Sequence, residues 1–464
     1  MAFSSQKHTT QDLLFLIPLS FFFLLYRLGS GSLASWDEAI YASVAKEILQ
    51  TGDWFALRLN GEPWLERAPL AVWATALFYQ LFGVSEFTAR LFSALCGAGC
   101  VLTTYVLGRR FFDRWVGFLA ALVLLSSSDF LRYSRFGMLD APFMLFLTWT
   151  FLFFWMGQNR NRYLIFSGIT LGLAVLTKGY VAFLSFPVIW LYAFFSGRVD
   201  VLGRSSYWIG VMIAAAIALP WHLGQLFLYR SVGPREFTWP LTVRPFQVLD
   251  VPGSQWYYYV RVLVNKFHPW ILVGVVTAPW CLFKAAKDRE ENTIFLSTWI
   301  FFIFLAVTVF HLKRSWFILP IYPALSVTIA YALSLVFRER RVPFIRVMFL
   351  VIMALHIPYS HVFDHDYSRQ IKALAVSAEA KVPKGEALVL YNFHESPAVS
   401  FYIGRASVMA DSPDELAERL RTGFSYLLIK QEDMRLQPVS FLLSKNRMLQ
   451  VALQDDLALL VRKT

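Results

Sequence analysis

The segment from residue 29 to residue 86 is rich in acidic side chains, although the chain as a whole is basic. Lys46, Arg58 and Arg67 are the basic residues that oppose them. Carboxylates this close to a membrane-length apolar run are costly unless they have a function. Because carboxylates can take a proton from an acceptor, we predict that this segment is the reaction centre of a membrane enzyme. Its seven acids are Asp37, Glu38, Glu47, Asp53, Glu62, Glu66 and Glu86.

Two of these acidic positions also have simpler structural interpretations. Asp37 precedes the run from Ala39 to Leu49, which predicts an amphipathic helix, and aspartate is a favoured N-cap residue. Glu66 and Arg67 precede an apolar stretch and are consistent with a surface ion pair. Asp37 and Glu38 are adjacent, so we expect one to face the site and the other the scaffold. From the residues alone, both interpretations stay open.

Basic residues recur at the predicted outer ends of apolar segments, where positive charge is disfavoured. Each of them alone could extend its charge to water along an apolar stem, but together they require an anion, and a lipid phosphate lies at this level. Asp140 begins the next apolar helix, where it could serve the site, pair with an arginine or stabilise the helix N-terminus. The basic residues are Arg132, Arg135, Lys178, Arg235, Arg244, Arg261, Lys266, Lys313 and Arg314.

Carboxylates beside a phosphate-binding set of cations suit the transfer of a group from a lipid phosphate. The phosphate would leave, the cations would stabilise its growing charge, and a carboxylate would accept the proton of the acceptor. No glycine-rich nucleotide-binding loop is present, which argues against a nucleotide-sugar donor. The net charge of +12 is explained by basic loops on the inner side of a membrane, and no nucleic-acid-binding motif accompanies it.

The elements that must position these residues are long apolar segments. The chain has 464 residues, of which 57% are hydrophobic and 16% charged. These segments predict an α-helical polytopic membrane protein with about 11–13 transmembrane helices. The stretch 69–83 is apolar but short, which is typical of an interfacial or re-entrant segment. The eleven segments are 12–28, 87–108, 115–131, 138–156, 163–177, 179–196, 207–228, 268–283, 293–311, 316–337 and 343–359.

Charge orientation places the N-terminus in the cytoplasm, because every inner loop is then net basic and segment 29–86 lies outside. The first apolar run is interpreted as a retained helix, since no small-residue cleavage site follows it. Residues 1–360 are thus predicted to form the transmembrane domain. Residues 361–464 change to short alternating runs and predict a small α/β periplasmic domain. Within that domain Ser412, Pro413 and Glu415 predict a helix start, and Gly423 a helix end.

Several strings in the chain resemble bacterial lipid-carrier-dependent glycosyltransferases. This family includes the aminoarabinose transferase that modifies lipid A and relatives of the protein O-mannosyltransferases. The resemblance implies the GT-C fold, a polyprenyl-phosphate-linked sugar donor and inversion at the anomeric carbon. The matching strings are Trp36 to Ala42, Thr51 to Trp54, Leu59 to Gly61, Glu66 to Leu70, Arg135 to Asp140, Lys178-Gly179, Lys313 to Pro320, Tyr322 to Ala324 and Phe401 to Arg405.

The resemblance also implies roles for individual residues. Asp37 would be the principal catalytic or acceptor-orienting carboxylate, and Asp140 the second site acid. Cations would hold the phosphate of the carrier, with acidic and basic neighbours in support. The phosphate-binding residues are Arg67, Arg244 and Lys313, and the supporting residues are Glu38, Glu66, Arg135 and Lys178. This chemistry requires no cofactor. The resemblance leaves open whether a divalent metal binds near Glu66, but the sequence offers no ligand set for one.

The chain departs from the family pattern at two positions. Arg67 replaces a usual lysine, which keeps the charge but presents a planar fork. Phe317 replaces a usual tyrosine and removes a hydroxyl that could contact phosphate. We therefore expect an inverting glycosyltransferase at the periplasmic face of a bacterial inner membrane. Its acceptor would be a lipid, a glycan or a protein. The two departures argue against lipid A modification specifically and leave the general reaction intact. The alternatives are a transporter or flippase of lipid-linked sugars, which should show inverted symmetry, and a structural subunit of an envelope complex.

Overall fold

A computed structural model describes residues 2–34, 36–229, 256–310, 312–337, 341–356, 363, 366–383, 386–393, 398–403 and 407–463. Two of the predicted basic residues, Arg235 and Arg244, lie outside these ranges. The chain divides into two compact units. The helical unit comprises residues 1–28, 65–74 and 90–363, and the mixed unit comprises residues 29–64, 75–89 and 364–464.

Most of the described residues of the helical unit form α-helices. Those contained in it are α1 (Ala2–Leu25), α5 (Arg114–Leu125), α6 (Ser128–Arg135), α7 (Asp140–Gly157), α8 (Arg162–Lys178), α9 (Ser185–Phe195), α10 (Ser205–Leu228), α11 (Tyr258–Lys266), α12 (Ile271–Asp288), α13 (Glu291–Val309), α14 (Tyr322–Val336) and α15 (Arg341–His356). Short 3₁₀ turns cover Gly179–Leu184, Val199–Gly203 and Ser315–Ile321. Helices α3 (Leu70–Phe82) and α4 (Glu86–Phe111) contribute residues to both units.

Within the described residues, each of the eleven predicted apolar segments overlaps a helix, which confirms the α-helical fold class; residues 311 and 357–359 of these segments lie outside the described ranges. Six helical stretches of the described chain are long and apolar enough to cross a membrane. A seventh results if α5 and α6, bent by 67° at their break, form one span. The remaining apolar helices are shorter or more charged, so the count of 11–13 spans stays a prediction. The gap between apolar segments 115–131 and 138–156 predicts a short outer loop for Arg132 and Arg135; this prediction is wrong, because both residues lie on helix α6.

Small residues let α8 and α10 approach closely. A Cβ atom built on Gly168 would lie 2.0 Å from the backbone oxygen of Gly210, and one on Gly172 would lie 3.1 Å from the backbone oxygen of Ala214. Glycines in this spacing allow the backbones of membrane helices to pack directly. The close contact matters for the site because α8 ends at Lys178 and α10 carries His222.

We therefore expect Gly168→Ala to destabilise the helical unit. The added methyl group has no room against the Gly210 backbone, and overpacking of this kind typically costs about 1–3 kcal/mol. Unfolding of the purified protein in detergent, followed by tryptophan fluorescence, measures the loss. Gly203→Ala is the matched control, because nothing lies within 4 Å of a Cβ at that position. Equal stability of the two variants would contradict the packing assignment.

The mixed unit has a five-stranded sheet. Its strands are β3 (Leu388–Tyr391), β4 (Ser407–Ala410), β5 (Tyr426–Lys430), β6 (Met448–Gln454) and β7 (Leu457–Arg462). The strand order is β4-β3-β5-β7-β6, with β4, β3 and β5 parallel and the other two neighbouring pairs antiparallel. Side chains on the two faces belong to separate cores: Leu388 and Leu390 join one, and Val389 and Tyr391 the other.

Helices cover this sheet, so the predicted α/β character of the C-terminal region is confirmed. They are α16 (Arg369–Lys381), α17 (Ala398–Tyr402), α18 (Pro413–Arg421), α19 (Gln431–Met434) and α20 (Gln437–Lys445). The predicted helix start is also correct: the Ser412 hydroxyl accepts from the Glu415 backbone N–H at 3.2 Å. Gly423 follows the helix with a φ of 100°, which a side chain would rarely allow.

The rest of the mixed unit comes from the acidic segment near the N-terminus. Helix α2 (Asp37–Thr51) is followed by Gly52 as its C-cap. Gly52 has a left-handed backbone, and its N–H donates to the Ile48 carbonyl. A two-stranded hairpin follows, formed by β1 (Arg58–Leu59) and β2 (Glu62–Pro63). Its turn residues Asn60 and Gly61 both have positive φ, 56° and 81°, as a tight hairpin turn requires. Residues 29–64 of the acidic segment are therefore a folded part of the mixed unit, whereas its residues 65–74, with Glu66 and Arg67, belong to the helical unit.

Candidate active site

A cavity in the helical unit combines apolar walls with a few charged side chains. It encloses about 1230 Å³ of open space, its mouth included. The charged and imidazole side chains of the lining are Glu66, Arg67, Lys178 and His222, and Tyr180 adds a hydroxyl-bearing ring. Such a combination suits an amphiphile that carries a charged group on a long hydrocarbon chain. The main apolar walls are Phe143, Leu147, Val181, Leu184, Trp221, Ile303, Val307, Phe310, Leu312, Phe317 and Pro320.

The Lys178 ammonium reaches this cavity while paired with a buried acid. Lys178 is the last residue of α8, and its Nζ donates to Oδ1 of Asp140, the first residue of α7. Their side chains are only 11% and 4% exposed. The ammonium also lies 5.6 Å from the centre of the Phe143 ring and 5.2 Å from that of Phe317. Asp140 is not among the described lining residues, so it contributes to the cavity through Lys178.

The ion pair should be important for stability as well as for the site. Lys178→Met leaves the Asp140 carboxylate buried without this cation, and breaking a buried pair typically costs about 3–5 kcal/mol. The double variant Asp140→Leu/Lys178→Met removes both charges and should recover much of that loss. Equilibrium unfolding in detergent measures the free energy of unfolding of the single and the double variant.

A matched control is Lys284→Met. Lys284 pairs with Glu290 at 2.9 Å, but their side chains are 23% and 32% exposed, so we expect a cost of about 0–1 kcal/mol. If Lys178→Met were no worse than Lys284→Met, the buried pair would not support the fold.

Glu66 and Arg67 enter the cavity from the segment before α3. Arg67 is partly buried and its Nη1 donates to the Glu66 carbonyl at 2.9 Å, whereas Glu66 is exposed. Both side chains have further contacts. The structure thus brings three of the predicted site residues, Glu66, Arg67 and Lys178, to one cavity.

Two other predicted cations serve helix ends. Lys313 donates to the carbonyls of Thr308 and Phe310 at 2.7 and 2.6 Å, close to the C-terminus of α13. Burial lowers the pKa of this lysine. Arg135, 5% exposed, donates from Nη1 to the carbonyls of Phe23 and Leu24 at 2.9 and 3.1 Å, at the end of α1. Neither residue is among the described residues that line the cavity, so their predicted roles in the site stay predictions.

Asp37 and Glu38 lie in the mixed unit with contrasting environments. Asp37 is the first residue of α2 and is partly exposed; no hydrogen bond or ion pair holds its carboxylate within the described chain. Glu38 is 1% exposed, and its Oε2 accepts from the Ala34 backbone N–H at 2.7 Å. The two side chains thus differ in burial as expected, and the placement of Asp37 at the reaction site stays a prediction. The alternative of Asp37 as an N-cap is wrong, because Trp36 occupies that position.

Sequence reasoning missed His222, which lines the cavity from α10. Its Nδ1 lies 2.8 Å from the Ala218 carbonyl, and when Nδ1 carries the proton, Nε2 is left as an acceptor. A histidine inside the apolar segment 207–228 was the available signal, since ionisable residues in membrane segments are often functional. Among the described residues, no group of three or more His, Cys, Asp or Glu side chains could hold a metal ion.

Comparison with known proteins agrees with this geometry. The family model described as dolichyl-phosphate-mannose-protein mannosyltransferase matches residues 66–223, which include Glu66, Arg67, Lys178 and His222 of the cavity. The crystal structure of the Archaeoglobus fulgidus oligosaccharyltransferase aligns with a TM-score of 0.65 and 14% identity, over 91% of this chain and 69% of that one. The chain has the GT-C glycosyltransferase fold, and the predicted resemblance is confirmed.

Within that fold, ArnT from Cupriavidus metallidurans aligns over nearly the whole chain. Its apo structure gives a TM-score of 0.82 at 18% identity and covers 98% of both chains. Its structure bound to undecaprenyl phosphate gives 0.78 at 18% identity, over 97% of this chain and 98% of that one. An undecaprenyl phosphate-alpha-4-amino-4-deoxy-L-arabinose arabinosyl transferase of Pseudomonas savastanoi is 30% identical over 327 residues.

That alignment covers 68% of this chain and 60% of the Pseudomonas protein. A protein of Aquifex aeolicus is 29% identical over 68% of this chain and 63% of its own length. The chain therefore spans about 60% of the curated relatives it matches. None of the names of these proteins describes a transporter, so the transporter alternative gains no support.

Proposed function

We propose that this chain is an inverting glycosyltransferase that moves a sugar from a polyprenyl-phosphate carrier to a lipid, glycan or protein acceptor. The observation that carries the proposal is the cavity in which Arg67 and Lys178 meet long apolar walls. The cations suit the phosphate of such a carrier, and the walls suit its hydrocarbon chain. The names of the transferase relatives and the undecaprenyl phosphate bound to ArnT support the same donor class.

In the proposed reaction, an acceptor oxygen attacks the anomeric carbon from the face opposite the phosphate. The bond from that carbon to the phosphate oxygen breaks, and the phosphate leaves with the electron pair. Arg67 and Lys178 stabilise the negative charge that develops on it. Asp140 holds Lys178 in place, and Glu66 orients Arg67. Arg244 and Lys313 are also proposed to bind the phosphate, and for them the support is the sequence resemblance.

Asp37 supplies the acceptor side of the reaction in this proposal. A hydroxyl acceptor loses its proton to the Asp37 carboxylate, whereas an acceptor that is already anionic, such as a phosphate, is only oriented by it. The carboxylate is partly exposed and makes no hydrogen bond within the described chain, so it is available to a substrate. We place the reaction at the periplasmic face of a bacterial inner membrane, with the N-terminus cytoplasmic and residues 361–464 periplasmic.

The donor-binding part of the proposal is tested with undecaprenyl phosphate itself. A ligand that binds the folded state raises Tm, so undecaprenyl phosphate should raise Tm in the wild type. We expect Arg67→Ala to reduce this increase, because a charge-assisted hydrogen bond to phosphate is lost. Arg421→Ala, which changes an exposed arginine of α18, is the control and should behave as wild type. Equal Tm increases in all three proteins would contradict the proposal that the phosphate binds in the cavity at Arg67.

The catalytic part is tested with Asp37→Asn. Undecaprenyl-phosphate-linked aminoarabinose and mannose serve as donors, and membranes from a strain that lacks the chain supply the acceptors. For a hydroxyl acceptor, we expect sugar transfer to fall roughly 10²- to 10⁴-fold, the usual contribution of a general base. Binding of undecaprenyl phosphate should be unchanged. Transfer at the wild-type rate would refute the role of Asp37, and mass spectrometry of envelope lipids and glycoproteins would identify the product.

A further inference from the structure

Residues 32–34, shortly before Asp37, have no regular secondary structure, yet side chains accept hydrogen bonds from all three of their backbone N–H groups. The Ser32 backbone N–H donates to Oδ1 of Asp366 at 3.0 Å, and the Leu33 N–H donates to the Tyr402 hydroxyl at 2.7 Å. The Ala34 N–H donates to Oε2 of Glu38 at 2.7 Å. Backbone N–H groups of an irregular segment would otherwise depend on water. Three side-chain acceptors in succession therefore fix the path of the chain just before α2.

Two of these acceptors come from the far end of the sequence, and each is held in turn. The Tyr402 hydroxyl donates to Oε1 of Glu86 at 3.1 Å, so it bridges two partners. Lys372 pairs with the same Glu86 carboxylate. The Ser32 hydroxyl accepts from the backbone N–H of Ser368 at 2.6 Å, two residues after Asp366. All of these contacts lie within the mixed unit.

The Asp366 carboxylate is suited to act as a lasting acceptor. Burial tends to raise its pKa, but hydrogen bonds from Ser32 and the nearby charges of Arg369 and Lys372 outweigh burial and lower it. The carboxylate therefore stays ionised and keeps its lone pairs available to the Ser32 N–H group.

Helix α2 is also held further along its length by the same short helix that carries Tyr402. Lys46 of α2 donates from Nζ to the carbonyl of Phe401 at 2.7 Å, and its ammonium lies 5.5 Å from the centre of the Phe401 ring. Helix α17 thus contacts both the approach to α2 and the body of α2. Asp37, the first residue of α2, lies between these two attachments.

From this arrangement we propose that Tyr402 and Asp366 are positioning residues for the reaction. They fix segment 32–34 and thereby the place of the Asp37 carboxylate at the start of α2. This inference rests on the role given to Asp37 in the proposed function. It assigns to the C-terminal region a direct part in placing the reacting group, through α17 and the residues before α16.

The experiment compares variants that remove an acceptor with variants that keep it. Tyr402→Phe removes the acceptor of the Leu33 N–H group, and Asp366→Ala removes that of Ser32. Asp366→Asn keeps a carbonyl oxygen for Ser32 and should rescue the alanine variant. Tyr426→Phe is the matched control, because the Tyr426 hydroxyl makes no hydrogen bond in the described part of the chain.

Two readouts are measured on the full-length protein. Hydrogen exchange of peptides covering residues 29–36 should become roughly 5- to 10-fold faster in Tyr402→Phe and Asp366→Ala, the effect of losing one hydrogen bond. For the undecaprenyl-phosphate-linked donors used above, kcat should fall about 10-fold or more in the same variants, while the donor KM stays unchanged. Asp366→Asn and Tyr426→Phe should match the wild type in both readouts.

The outcomes separate this inference from the proposed function. Unchanged exchange in Tyr402→Phe and Asp366→Ala, or faster exchange with wild-type kcat, overturns the positioning role. A rise in donor KM equal to the fall in kcat also overturns it, because the variants would then act on donor binding. If Asp366→Ala fails to fold, Tyr402→Phe decides alone. Full transfer by Asp37→Asn refutes the proposed function whatever the exchange rates show.

Discussion

The buried ion pair between Asp140 and Lys178 is the interaction on which the cavity depends. An ammonium group surrounded by apolar walls would pay a large desolvation cost without a partner, and the Asp140 carboxylate at the start of α7 offsets that cost. The pair joins the first residue of one helix to the last residue of another, where the helix dipoles favour each charge. The same pair joins the ends of α7 and α8, which are also linked along their length by hydrogen bonds from Thr150 to Thr170 and from Ser167 to the Thr150 carbonyl.

Burial divides the carboxylates of this protein into two groups. Glu38 and Asp140 are almost fully buried, and each is committed to an internal partner, a backbone N–H group and a lysine. Asp37 and Glu66 are partly or fully exposed, at the beginning of a helix and on the rim of the cavity. Because a committed carboxylate cannot also exchange a proton with a substrate, the exposed members are better suited to chemistry and the buried members to placement.

Apolar segment length predicted much of the fold. Each of the eleven segments overlaps a helix, and the short alternating runs near 388, 426 and 457 became strands, because burial of apolar surface dominates both patterns. The association of Glu66, Arg67 and Lys178 was also predictable, since all three belong to motifs at the ends of apolar segments. The sequence could not show that Lys313 and Arg135 satisfy helix carbonyls. A cation near a helix C-terminus and a cation near a phosphate have the same sequence signature, and long-range contact decides between them.

The discontinuous make-up of the mixed unit has a consequence for biosynthesis. Ser32 and Asp366 are separated by 334 positions, and most of the helical unit is encoded between them. At elongation rates of about 5–20 residues per second, the ribosome needs roughly 15–70 s to cover that distance. For this interval residues 32–34 exist with Glu38 but without their two distant acceptors, Asp366 and Tyr402. The Asp37 region is therefore completed last, so a premature stop just before Asp366 would leave the helical unit synthesised and the region before α2 without both of these acceptors.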